Sequence, residues 1–127
     1  MSWYQHHLCT LMQEDIQEAI HQAIEEAMIL GEPLRLMPLV DHQWSHGMTL
    51  IAEYDEKQEN HHVWQWRDSG YRVSWHGFIS KQYLRFLPDL SHSVLNGYFL
   101  IENRDHKGVR LVVNRLGRVR VEDLKGF

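Results

Sequence analysis

One long apolar stripe, halted by a glycine and a proline and followed only by strand patterns, constrains this chain more than any other feature. Leu8, Met12, Ile16, Ala19, Ile20, Ala23, Ile24, Ala27 and Met28 recur at spacings of three and four residues, which lines one face of an α-helix. Glu14, Asp15, Glu18, Glu25 and Glu26 mostly fall off that stripe. Gly31 is the expected C-terminal stop, and Pro33 bars continuation. At 1.5 Å per residue, about 25 helical residues span about 40 Å. So long a helix is expected to project its first turns beyond a small core, and the stripe to seat it through Ile16, Ile20, Ile24 and Met28.

Beyond Pro33, residues 34–39, 48–54, 62–67, 71–75, 83–87, 97–102, 109–114 and 118–122 alternate apolar and polar side chains or concentrate β-branched and aromatic ones, as strands do. Polar, turn-forming stretches at 55–60, 68–70, 88–96 and 103–108 connect them. One long N-terminal amphipathic helix followed by strands predicts an α+β fold, the helix packed on antiparallel β-sheet. A chain of 127 residues reads as a single domain, with the helix over 1–31 and a β-rich head over 32–127, and it can bury a core without disulfides. Cys9 is the lone cysteine, so no internal disulfide is available. No apolar run reaches membrane-span length and no signal peptide opens the sequence, so taken alone the chain reads as a soluble domain.

The tail predicts its own register. If Arg115, Leu116 and Gly117 form a three-residue hairpin loop, Gly117 takes the positive φ such loops require. Asn114 then faces Arg118, Val113 faces Val119, Val112 faces Arg120, Leu111 faces Val121 and Arg110 faces Glu122. Alternation puts Leu111, Val113, Val119 and Val121 on the core face and turns Arg110, Arg118 and Arg120 outward. A two-residue loop would set Arg118 and Arg120 over Leu111 and Val113, so the three-residue register is preferred. Arg110 opposite Glu122 is expected to form a cross-strand ion pair and leave Arg118 and Arg120 freer to meet a partner.

Charge is distributed unevenly. Residues 11–60 hold eleven carboxylates against Arg35 and Lys57, whereas from Arg104 onward Arg104, Lys107, Arg110, Arg115, Arg118, Arg120 and Lys125 outnumber Asp105, Glu122 and Asp123. The asymmetry implies either two surfaces with different partners or pairing between the acidic and basic ends.

Catalytic and metal chemistry find little support. The ten histidines fall as His6-His7, His61-His62, the pair His42 and His46 in what reads as a loop around Trp44, and four singles. Zinc needs three or four ligands on one point, so scattered surface histidines are the better account, and no metal or cofactor is expected. Ser45, Ser91 and Ser93 lie in turn-rich stretches without a Gly-x-Ser-x-Gly elbow, and no glycine-rich phosphate loop is present. Trp44, Trp64, Trp66 and Trp75 invite a base- or sugar-stacking reading, but the mixed residues alternating with Trp64 and Trp66 favour a core face.

Three segments together resemble the GspH/FimT family of minor pilins and pseudopilins. AIHQAIEEAMILGEPLRL at 19–36 is similar to the family's helix end, A-R-x-E-A-I-x-x-G-x-x-V-x-L. WSHGMTLI at 44–51 resembles its W-x-x-G-[WY]-x-[VI] strand, and LRFLPD at 84–89, YFL at 98–100 and RLVVNRLGRVR at 110–120 resemble its closing strands and terminal Gly-Arg-x-Arg. The resemblance runs over residues 12–122. It departs from many FimT-like proteins in lacking their cysteine pair.

That resemblance implies a pilin-like fold and a non-enzymatic structural subunit of a type II secretion pseudopilus or a type IV pilus. Its partners would be other minor pilins or pseudopilins, met through helix and head. Family members carry a hydrophobic helix half with a prepilin-peptidase site, which is missing here. The expectation is therefore a truncated soluble form whose full version is held in the bacterial inner membrane, head in the periplasm. In FimT-like pilins the Gly-Arg-x-Arg tail binds DNA during DNA uptake. The matching residues are Gly117 as structural turn, Arg118 and Arg120, with Lys107, Arg110 and Arg115 beside them. GspH-type pseudopilins carry the same strand without a DNA role, so both readings stay open.

Overall fold

The computed structural model describes residues 3–55, 57, 59–79 and 82–124; Glu56 and Lys125, counted in the charge asymmetry, lie outside the described residues. Helix α1 runs Trp3–Leu30. Eight strands follow: β1 Leu34–Val40, β2 Gln43–Ala52, β3 Asn60–Gln65, β4 Arg72–Gly77, β5 Leu84–Phe86, β6 Gly97–Glu102, β7 Gly108–Val113 and β8 Val119–Leu124. They form two four-stranded antiparallel sheets, ordered β3-β2-β1-β5 and β4-β6-β7-β8. The result is the α+β arrangement that the stripe and the strand runs imply.

Helix α1 closes as its sequence dictates. Gly31 adopts φ 67 and its N–H donates to the Ala27 carbonyl at 3.0 Å. Met12, Ile16, Ala19, Ile20, Ala23 and Ala27 are buried, and the alanines let the backbone approach the sheet closely. Met28 is a correction: it is 55% exposed. Each four-residue step advances the helix by about 400°, so the run from Ile16 to Met28 drifts by about 120°. Ile24 is half-buried against the core, and Met28 has rotated out of it.

The core lies between α1 and the inner faces of both sheets. Leu34, Leu36, Met48, Leu50, Leu84 and Phe86 come from the first sheet, and Phe99, Ile101, Leu111 and Val113 from the second. Contacts from β2 join the sheets. Trp44 meets Phe99 edge-on, ring centroids 5.2 Å apart, and the Val73 N–H donates to Ser45 Oγ at 2.9 Å. Trp44, Ser45 and His46 thus belong to β2, not to a loop. The chain reverses within Asp41 and His42, with His42 at φ 62, so pairing resumes at once between Val40 and Gln43.

Strand β3 and the segment after it are fastened to the helix by polar contacts. The Trp66 indole N–H donates to Asp15 Oδ2 at 2.8 Å, while His62 and His61 both pair with Glu26. Burial disfavours a charged Glu26, but hydrogen bonds from His62, His61 and Gln22 and the charge of His62 outweigh it and hold the carboxyl below its ordinary pKa. Trp66 is buried and Trp64 packs partly buried against the core. With Trp44 and Trp75 also buried, these four tryptophans build the interior instead of forming an exposed stacking face.

Candidate functional site

Strands β7 and β8 pair in the expected register: Val113 with Val119, Val112 with Arg120, Leu111 with Val121 and Arg110 with Glu122. The loop of Arg115, Leu116 and Gly117 is closed by the Asn114 N–H donating to the Arg118 carbonyl (2.9 Å) and the Gly117 N–H to the Asn114 carbonyl (3.0 Å). Asn114 Oδ1 accepts from the Leu116 and Arg118 N–H groups, each at 2.9 Å. Gly117 takes φ 85. It also lies against the helix: a Cβ there would stand 2.6 Å from Ile24 Cδ1 and 3.3 Å from Leu95 Cδ1. The hairpin tip is therefore seated on α1, which fixes where the flanking arginines emerge.

One position departs from the expected core face. Val121 is 44% exposed because β8 is the sheet's edge and has a neighbouring strand on one side only.

The arginines are not equivalent. Arg118 is exposed and its guanidinium has no hydrogen bond or ion pair with another described residue. Arg120, expected to be freer than Arg110, instead donates to Glu122 Oε2 at 3.0 Å; the two lie two residues apart on one strand face, closer than the cross-strand partner Arg110 at 3.9 Å. Arg110 Nη1 stands 3.9 Å from the same carboxylate, with its guanidinium carbon 5.0 Å from the Tyr98 ring centre and its Nε buried without a partner. Arg115 donates to the Ser91 carbonyl at 2.8 Å. Lys107 is exposed in the turn before β7, held by Asn103 Oδ1 accepting its N–H at 3.0 Å. It stands about 20 Å from the hairpin tip, the length of a six-residue strand. The fold thus gathers Arg118, Arg120 and Arg115 near one end of the sheet and leaves Lys107 at the other.

Sequence reasoning missed what lies beside these arginines. His76, Tyr98, Val112 and Arg120 are register partners across all four strands, and Ser74, Leu100, Arg110 and Glu122 form the next row. Tyr98 stacks on His76 at 4.7 Å. The Arg120–Glu122 spacing was a usable signal for their pairing; the Tyr98 and His76 placement needed sheet order.

A second charged group sits on the other sheet. Glu53 accepts from Arg35 Nε (2.8 Å), Arg85 Nε (2.9 Å) and Arg85 Nη2 (2.6 Å). These arginines, led by Arg85, hold the Glu53 carboxyl below its ordinary pKa against the cost of burial. Among the described residues no group of three or more His, Cys, Asp or Glu is placed to hold a metal ion, and no helix is long and apolar enough to cross a membrane.

Neither a family model nor a curated protein matches the sequence. Solved structures do match the fold. The type IV minor pilin FimU of Pseudomonas aeruginosa is similar at a TM-score of 0.70 and 14% identity, over 98% of this chain and 98% of that one. A second crystal form of FimU gives 0.66 at 14% identity, over 89% and 94%. The minor pseudopilin EpsH from the Type 2 Secretion System of Vibrio cholerae is similar at 0.61 and 13% identity, over 91% and 96%. The fold is that of a GspH/FimT-like minor pilin or pseudopilin. At such identity the likeness resides in the backbone, so the minor-pilin fold carries the helix and sheets across but says nothing of the arginine rim.

Proposed function

We propose that this chain is a non-enzymatic structural subunit of the minor pilin or pseudopilin type, built into a type IV pilus or a type II secretion pseudopilus through both helix and head. The observation that carries this reading is the backbone likeness to FimU over 98% of both chains, which includes the helix as well as the head. In this account the exposed positions Leu11, Glu14, Glu18 and Glu25 of α1 face neighbouring subunits, their charges steering association more than adding affinity. The head stands on the periplasmic side of the bacterial inner membrane, with a hydrophobic helix half preceding α1.

The test is incorporation. Expressed behind a pilin leader and hydrophobic helix half in cells that assemble the matching filament, the chain should appear in the sheared filament fraction. A folded, membrane-inserted protein that never leaves the membrane fraction would contradict the proposal.

A second reading is DNA binding during uptake, favoured by the exposed Arg118, which has no ion pair with another described residue and stands just before β8, near Arg120. Phosphate contacts would dominate and sequence preference would be slight. The formal charge of −4 and the Glu122 carboxylate beside Arg120 both oppose tight binding by one head. Repetition along a filament would raise avidity. The structural role is the better-supported of the two.

A further inference from the structure

The outer face of the β4-β6-β7-β8 sheet carries a hollow that the arginine rim alone does not explain. Toward the hairpin tip, the row of His76, Tyr98, Val112 and Arg120 is followed by Phe78, Asn96, Asn114 and Arg118, linked by the Phe78 N–H to the Asn96 carbonyl and the Asn114 N–H to the Arg118 carbonyl. Between the rows lies an open space of about 540 Å³, lined by His76, Phe78, Tyr98, Val112 and Asn114 among others. Its floor includes the Gly77–Gly97 pair of β4 and β6, which in the alternation along the strands belongs to the core-facing set of Trp75 and Phe99. Gly97 has no room for a side chain: a Cβ there would stand 2.5 Å from the His76 carbonyl oxygen and 2.6 Å from the Trp75 ring.

Two properties define an occupant. Phe78 is 83% exposed at the rim, so an apolar group entering the hollow would bury aromatic surface now in water. Arg118 and Arg120 stand at the β8 ends of these two rows, Arg120 holding Glu122 Oε2 at 3.0 Å and Arg118 exposed with no ion pair to another described residue. Tyr98 is already engaged by the His76 ring stacked on it at 4.7 Å and by the Arg110 guanidinium 5.0 Å from its ring centre.

We propose that this hollow docks an acidic segment of a neighbouring subunit, an aromatic or aliphatic side chain entering beside Phe78 and flanking carboxylates meeting Arg118 and Arg120. Apolar anchors ringed by charge are how protein interfaces concentrate affinity. The inference rests on the reading of the chain as a filament subunit.

The probe is the capped peptide Glu-Glu-Phe-Glu-Glu, titrated into the isotope-labelled chain while the amide resonances of Gly97, Val112 and Asn114 are followed. A peptide with Gly replacing its Phe and a short DNA duplex serve as comparisons. Saturable shifts at those amides are expected, weakened at least about fivefold by the Gly peptide, by Phe78→Ser and by Arg118→Glu. Both substitutions are at exposed positions, and unchanged circular dichroism and Tm confirm that each variant folds. Absence of site shifts at about 5 mM peptide, or shifts indifferent to Phe78→Ser, would overturn the proposal. So would duplex-induced, Phe78-dependent shifts, which assign the hollow to nucleic acid, or concentration-dependent shifts of the protein alone, which assign it to a second copy. The titration needs no filament. Peptide failure with intact incorporation removes only the docking site, and the reverse removes only the filament reading.

Discussion

Gly117 answers to two demands at once, a left-handed backbone and contact with Ile24. The Ile24 methyl is the end of a flexible side chain and can move; the φ cannot. Gly117→Ala should therefore cost about 1–3 kcal/mol in urea unfolding, and a loss below about half a kcal/mol would place the strain elsewhere. Glu53 gives a pH signature. Its folded pKa lies below the ordinary 4.5, so its contribution is present above that value and lost as pH falls through the lower folded one. Glu53→Gln should destabilise by about 1–3 kcal/mol at neutral pH, with the gap to the parent narrowing at pH about 3. An unchanged gap would show that its charge is not what matters. For DNA, Arg118→Gln should flatten the salt slope by about one phosphate contact and Arg120→Gln by less, since Glu122 already partners it. Equal retention of parent and double variant at low salt would exclude this face as a DNA site.

At the scale of elements, α1 and the hairpin were legible because periodicity is local: the stripe, Gly31 and the Arg115–Gly117 loop each depend on neighbours within a few residues. What was not legible depends on partners far away in sequence. Met28 satisfies the four-residue spacing yet rotates off the sheet, and Val121 alternates correctly yet sits on an edge that only sheet order reveals. Ser45, read as a loop serine, accepts from Val73 in the other sheet, a contact no spacing encodes. The candidate site shares that division. Its arginines were visible, while Tyr98, His76 and Phe78 came beside them only through strand order. The same contrast yields a stability test. Ile16→Ala, wholly buried, should cost about 2–5 kcal/mol, whereas Met28→Ser should stay within about half a kcal/mol. Similar losses at both positions would mean that α1 seats on the sheets in a different rotation.

For the whole molecule, the charge asymmetry resolves into separate surfaces. Glu26 pairs with His61 and His62, Glu53 with Arg35 and Arg85, and Glu122 with Arg110 and Arg120. None of these pairs joins α1 to the basic stretch after Arg104. The exposed acidic face of the helix and the arginine end of the second sheet are thus both available to other molecules. In isolation the chain should sediment as a monomer or weak dimer; a tight oligomer unaffected by dilution would show that one of these faces is already satisfied by itself. The central claim is that α1 is a packing element between filament subunits as well as the spine of this fold. Photo-crosslinking from Leu11, Glu14 or Glu18 in filament-forming cells tests it most directly. The account predicts adducts with other pilin or pseudopilin subunits from these helix positions; adducts confined to non-pilin proteins, with the chain present in the filament fraction, would contradict it.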